Sequence, residues 1–143
     1  MAAAAVATLG ILVGPPATAT PATNNVLVLY SNERLLPAIV EGDRGLHETV
    51  RARMDRPAML FYESLAAPRV GGPAFDRIVT AYLREKYASR PPRVIVAVSG
   101  EALTFLLRHR AELFPQVPVV HTGIDRLLLR SLAPLPSDVV GVP

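Results

Sequence analysis

The chain has 143 residues, 50% of them hydrophobic, with no cysteine and a formal net charge of +3. One domain fits this length, and a domain of this size can bury roughly two-thirds of its unfolded surface without staples. Composition excludes disulfides and thiolate metal sites. The arginines are spread over several helical segments, with Arg51, Arg53 and Arg56 the nearest thing to a patch. That spacing is a solvated helix face, so nucleic acid is not an expected partner.

Charge is uneven along the chain. Met1 to Asn32 carries no charged side chain, and every Lys, Arg, Asp and Glu lies from Glu33 onward. Ala2 to Val13 is small and apolar, Gly14-Pro15-Pro16 breaks it, and Ala17-Thr18-Ala19 offers a small-x-small cleavage pattern. Residues 1–23 therefore read as a secretory signal peptide, or as a disordered Ala/Thr/Pro-rich leader because the usual positive n-region is missing. The apolar stretch is too short to span a bilayer comfortably. An exported, periplasmic or extracytoplasmic protein is the corresponding expectation.

From Asn25 the pattern alternates. Asn25 to Tyr30 is the first predicted strand, with Ser31-Asn32 where a helix N-cap would stand. The first helix follows, its apolar stripe running through Leu36, Ile39, Leu46, Val50 and Met54. Asp43 occupies an apolar slot, and the flanking Gly42 and Gly45 predict a bend or a split there. Ala58 to Tyr62 is the second strand, ending at Glu63-Ser64, and Ala66 to Gly72 is a loop. The second helix opens at Pro73, a favourable first-turn proline. Phe75, Ile78, Val79, Tyr82 and Leu83 have core spacing on it, and Arg77, Thr80, Arg84 and Glu85 line its other side. Ser89-Arg90-Pro91-Pro92 turns the chain into Val94 to Val98, a β-branched run without polar alternation, as a strand covered on both faces requires. The third helix turns Leu103, Leu106, Leu107, Ala111 and Phe114 inward and stops at Pro115. Val117 to Val120 is the fourth strand, leading to His121-Thr122-Gly123, and Val139-Val140 suggests a fifth. The predicted fold is α/β: an open, Rossmann-like parallel sheet of four to five strands in the order 2-1-3-4(-5), with helices on both faces.

Most chemistries that use this scaffold are missing their residues. The turn after the first strand reads Ser31-Asn32-Glu33-Arg34-Leu35, without the glycines that let a backbone approach a pyrophosphate, and there is no Gly-Lys-Ser/Thr phosphate loop. Ser99 stands where a phosphoacceptor aspartate would be. Ser31, Ser64, Ser99, His121 and Asp125 all lie at or just beyond strand ends, but Val98-Ser99-Gly100 lacks the Gly-x-Ser-x-Gly elbow. A small hydrolase using Ser99 and His121 is a minor alternative. His47, His109 and His121 share no ligand spacing, so neither a metal nor a cofactor is expected. What remains is a ring of small polar groups at one sheet edge: Ser31, Asn32, Ser64, Ser99, Gly100, His121 and Thr122. Such residues often do no more than cap helices, yet together they favour a small polar or anionic ligand. Each exposed helix N-terminus contributes about 0.3 to 1 kcal/mol toward an anion. Even millimolar affinity takes about 4.1 kcal/mol, so a second lobe is expected to close the cleft.

Several segments resemble a known family: Val26-Leu27-Val28-Leu29-Tyr30-Ser31, Leu36-Pro37-Ala38, Phe61-Tyr62-Glu63-Ser64-Leu65, Tyr82-Leu83-Arg84-Glu85-Lys86-Tyr87, Val94 to Val98 and, most specifically, Phe105 through Pro115 to Val120. They are similar to the extracytoplasmic sensor region of certain bacterial sensor histidine kinases, itself similar to ABC-transporter substrate-binding proteins of the type I periplasmic fold. The resemblance spans roughly Asn25 to Pro143. It implies one lobe, residues 25–143, of a two-lobed receptor, with ligand contacts at Ser31, Asn32, Ser99, Gly100, His121 and Thr122. It implies a non-enzymatic sensing or substrate-binding role in signal transduction or uptake, with a second lobe or a kinase module as partner. No second lobe, phosphoacceptor histidine or ATP-binding module is found in the sequence, so the chain reads as a fragment or truncated product. The alternative expectation is a stand-alone α/β interaction module that forms a homodimer through its sheet edge.

Overall fold

The computed structural model describes residues 24–31, 37–53, 58–66 and 71–143. The leader, Asn32 and the segment carrying Pro68 lie outside the described residues. In chain order the elements are β1 (Asn24–Tyr30), α1 (Pro37–Arg53), β2 (Ala58–Ser64), α2 (Pro73–Lys86), β3 (Val94–Val98), α3 (Gly100–Leu113), β4 (Val119–Thr122), α4 (Arg126–Leu132) and β5 (Val139–Gly141). All strands are parallel, in the order β2-β1-β3-β4-β5, as the sequence predicts.

Strand order fixes the layers. Right-handed crossovers that run outward from β1 to β2, then back across to β3, β4 and β5, place their helices on opposite faces. Accordingly Leu27, Leu29, Ile95, Ala97 and Val119 pack with Leu83 of α2 and with Ala102, Leu103, Phe105 and Leu106 of α3. The alternate residues Val26, Val28, Tyr30 and Val96 meet Ile39 and Leu46 of α1, with Ala58, Leu60 and Tyr62 of β2 and Val98 beside them. Tyr87 joins the larger core, edge-on to Phe61 and Phe114, and donates its hydroxyl to Glu63 Oε1 at 2.7 Å. Arg110 closes the far end. It reaches both Asp138 carboxylate oxygens and the Val117 carbonyl (2.9 Å), and this pairing holds the Asp138 carboxyl below its ordinary range.

Five local expectations need correction. Helix α1 is not split at Asp43: the carboxylate accepts a hydrogen bond from the buried Tyr30 hydroxyl, which gives a polar residue a role at a core-facing position. Helix α2 is rotated from its predicted face. Thr80 and Leu83 are buried, while Ile78 is 67% and Tyr82 50% exposed. Leu83 and Val79 pack into the core, and this face of the helix carries Asp76 toward α3, where it meets Arg108 Nη1 at 3.1 Å and His109 Nε2 at 3.4 Å. On α3, Ala111 is exposed, and Phe105 and Leu113 are buried in addition to the expected Leu103, Leu106 and Phe114. Strand β4 starts at Val119, after Pro118, which has no N–H for the ladder. Helix α4 was not expected at all; Asp125 caps it, accepting from the amides of Leu127 (2.7 Å) and Leu128 (3.3 Å).

Burial pushes the Asp43 carboxyl above its ordinary value of 3.8, and nearby His47 pulls it partly back. The folded state therefore holds this proton more tightly than the unfolded chain, and Asp43 lowers stability as pH rises from 3.8 through the raised folded value. Denaturant unfolding from neutral to acid pH should show the wild type gaining stability relative to Asp43→Asn as pH falls through that window. At neutral pH Tyr30→Phe should cost about 1–3 kcal/mol, the penalty for removing one partner of a buried hydrogen bond.

Candidate functional site

The carboxyl ends of the strands form one straight edge. Ser64, Tyr30, Val98 and Thr122 stand in register across β2, β1, β3 and β4. Main-chain bonds carry the ladder one residue further: Leu65 N–H to the Tyr30 carbonyl (2.8 Å), Ser31 N–H to Val98 (3.4 Å) and Ser99 N–H to Thr122 (3.0 Å). The helices that follow β1 and β3 lie on opposite faces of the sheet, so a crevice opens between them at this edge. Such switch points are where open α/β sheets bind ligands.

Ser31 and Ser99 meet the N-terminus of α3 in different ways. Ser31 is fully buried, and its Oγ accepts the Ala102 N–H at 2.9 Å and donates to the Val98 carbonyl at 3.4 Å. It thus caps α3 from a neighbouring strand, not its own following helix. Ser99 holds the N-cap position yet makes no side-chain cap bond, with φ 78° and ψ 165°. That backbone region is essentially reserved for glycine, and a serine there stores strain on the order of 1–3 kcal/mol. The amides of Gly100 and Glu101, next in line, take no hydrogen bond among the described residues. Gly100 is buried, and a Cβ on it would lie 2.2 Å from Leu128 Cδ2, so α4 packs directly on the start of α3.

The other predicted residues divide. Thr122, partly buried, faces the α1 side together with Ser99, at the end of a groove of ≈ 780 Å³ between α1 and the sheet. Gly100 opens instead on a second cavity of ≈ 430 Å³ between the N-terminal ends of α2 and α3. His121 is buried with its Cγ 2.8 Å from where a Gly141 Cβ would stand, and its Nδ1 has no hydrogen-bond partner among the described residues. By register it shares the face of Ala97 and Val119, away from Thr122. Ser64 is exposed at the end of β2, where its Oγ accepts the Ala66 N–H at 3.3 Å. The structure therefore brings Ser99, Thr122 and part of His121 to one groove, opens Gly100 on the other cavity, buries Ser31 beneath the start of α3 and leaves Ser64 exposed to the side. No hydrogen bond joins Ser99 to His121 among the described residues, and the Asp125 carboxylate is engaged by α4.

The second cavity contains residues that sequence reasoning passed over: Gly71, Gly72, Thr104 and the Asp76–Arg108 pair. Gly72 has φ 112°, which explains the glycine directly before Pro73. Asp76 and Arg108 lie 32 positions apart in the chain, and the packing of α2 beside α3 joins them. Among the described residues no group of three or more His, Cys, Asp or Glu is arranged to hold a metal ion.

Ser99→Gly should relieve the backbone strain and raise unfolding stability by about 1 kcal/mol, read as a higher denaturant midpoint at unchanged slope. Ser31→Ala strands a buried amide and should lower stability by about 1–3 kcal/mol in the same assay.

Comparison with protein-family models, with curated proteins and with solved structures finds no match for this chain.

Proposed function

We propose that this chain is a ligand-binding lobe, the first half of a two-lobed extracytoplasmic receptor that serves signal transduction or solute uptake and catalyses no reaction. The observation that carries the reading is Ser99. A non-glycine residue held in a glycine-only conformation, at the switch point between β1 and β3 and directly before two amides without acceptors, is a strained segment aimed at a ligand. The two amides and the α3 dipole suit a carboxylate or another small polar group with an exposed oxygen. Asp76, Glu101 and Arg108 line the neighbouring cavity, and with Arg108 paired to Asp76 the exposed Glu101 favours a ligand that carries a polar or cationic group beyond its anionic end. Asp125 capping α4, and so not facing His121, supports binding over hydrolysis.

Exposure of this edge supports low affinity for the lobe alone, because a single helix terminus contributes about 0.3–1 kcal/mol. Amide chemical-shift titration with amino acids, sugars and simple carboxylates should move Gly100, Glu101 and Gly123 with dissociation constants near millimolar. Sub-micromolar calorimetric binding by the 143-residue chain would remove the need for a second lobe, and unmoved amides at saturating ligand would remove the reading altogether.

Export rests on the uncharged stretch from Met1 to Asn32 and its Ala17-Thr18-Ala19 pattern. None of the helices among the described residues is long and apolar enough to cross a membrane. Protein recovered from the periplasmic fraction of an expressing bacterium should begin at Thr20 by intact mass; an uncleaved N-terminus retained in the cytosol would count against export.

A further inference from the structure

The ≈ 780 Å³ groove beside α1 changes character along its length. Val94, Val96 and Val98 lie along its floor with Val120 of β4, and Leu46 and Val50 of α1 wall it. Side chains two apart on a strand share a face, so the whole length of β3 offers the groove valine and nothing polar. Polar lining gathers where β3 and β4 end, at Ser99, Thr122 and Gly123. At about 3.3 Å per residue the stretch from Val94 to Ser99 spans roughly 16 Å. The groove is thus a trough with one dry end and one polar end, and its volume falls within the range of about 300–1,000 Å³ common to small-molecule sites.

Three donors stand at the polar end. Ser99 makes no side-chain cap bond, and neither the Thr122 hydroxyl nor the Gly123 N–H has a hydrogen-bond partner among the described residues. Asp43 lines the same wall but is buried and accepts the Tyr30 hydroxyl, so its carboxylate is already engaged. The charged groups Asp76, Glu101 and Arg108 belong to the other cavity, beyond Ser99. On the reading that the carboxyl edge binds a ligand, we propose that the trough takes that ligand's apolar tail, and that the ligand is an amphipathic carboxylate with an unbranched chain of medium length. Its oxygens accept from Ser99, Thr122 and Gly123, and its chain lies along the β3 valines toward Val94. A compact polar ligand such as a sugar would leave the valine end without contacts.

Chemical-shift titration of the 143-residue chain with acetate, hexanoate and decanoate, all below micelle concentrations, tests this. All three should move the Gly123 amide, and decanoate should also move the methyl groups of Val96 and Val120. A methylene buried on one side tightens binding about twofold, so decanoate should bind about tenfold or more tighter than hexanoate. Val120→Asp puts a charge on the floor and should leave decanoate binding no tighter than hexanoate. Gly42→Phe repeats the block from the helix side should Val120→Asp unfold by circular dichroism, because a Cβ on Gly42, which lines the trough, meets nothing within 4 Å. The inference is overturned, and the edge remains a site, if hexanoate and decanoate bind equally while both move Gly123, as they would were the leader or a second copy seated in the trough. It is overturned as well by decanoate that moves the valine methyls and leaves Gly123 still, which is partition without a head site. A Gly123 amide unmoved by all three removes both the tail site and the edge on which it rests.

Discussion

The handedness of the β-α-β crossover is the constraint on which the rest of this structure depends. With β1 beside both β2 and β3, the chain must reverse direction across the sheet once, and right-handed connection then sends α1 to one face and α2, α3 and α4 to the other. Two features follow from that single reversal. The helices after β1 and β3 diverge and open a crevice at the carboxyl edge, and beside α1 lies a valine floor that no other helix among the described residues covers. Binding edge and open face are thus one topological fact seen from two directions.

At the edge, the serines divide two tasks that are often assigned to one residue. Ser31 satisfies the third amide of α3 from a fully buried position. That frees Ser99 from capping and lets its backbone take the strained conformation that leaves the first two amides forward. A strained residue persists only where its surroundings over-determine it, and here the Ser99–Thr122 main-chain bond, the Ser31 cap and Leu128 packed on Gly100 do so. Stability and recognition are in tension at this point, since relieving the strain would strengthen the fold and relax the amides.

Strand positions, their parallel order and the start of α2 at Pro73 were legible because buried β-branched runs and a first-turn proline are local signals. Three things were not. The face α2 turns inward brings Asp76 to Arg108 and His109 of α3, a contact between residues more than thirty positions apart that no helical period encodes. Asp43 read as a flaw in an apolar stripe because its partner, Tyr30, lies on a strand. Helix α4 is only 7 residues long, and its one clear sign, Asp125 ahead of Leu127 and Leu128, also suits a catalytic acid. Among the site residues, Ser31, Ser99 and Thr122 neighbour one another because strand ends in register must converge. The His121 ring does not join them, since side chains alternate between faces along β4, and Gly100 opens on the other cavity.

Helix α3 is tied at both ends. Its first turn is bonded to Ser31, at the end of the central strand, and its last turn reaches through Arg110 to Asp138, just before the outermost strand. At 14 residues it is a strut about 21 Å long. A group that pulls on Ser31 or on the amides of Gly100 and Glu101 therefore acts on the whole strut. The far end of that strut carries the Arg110–Asp138 clamp just ahead of the three-residue strand β5, so the crevice and the sheet's opposite margin are joined by one helix.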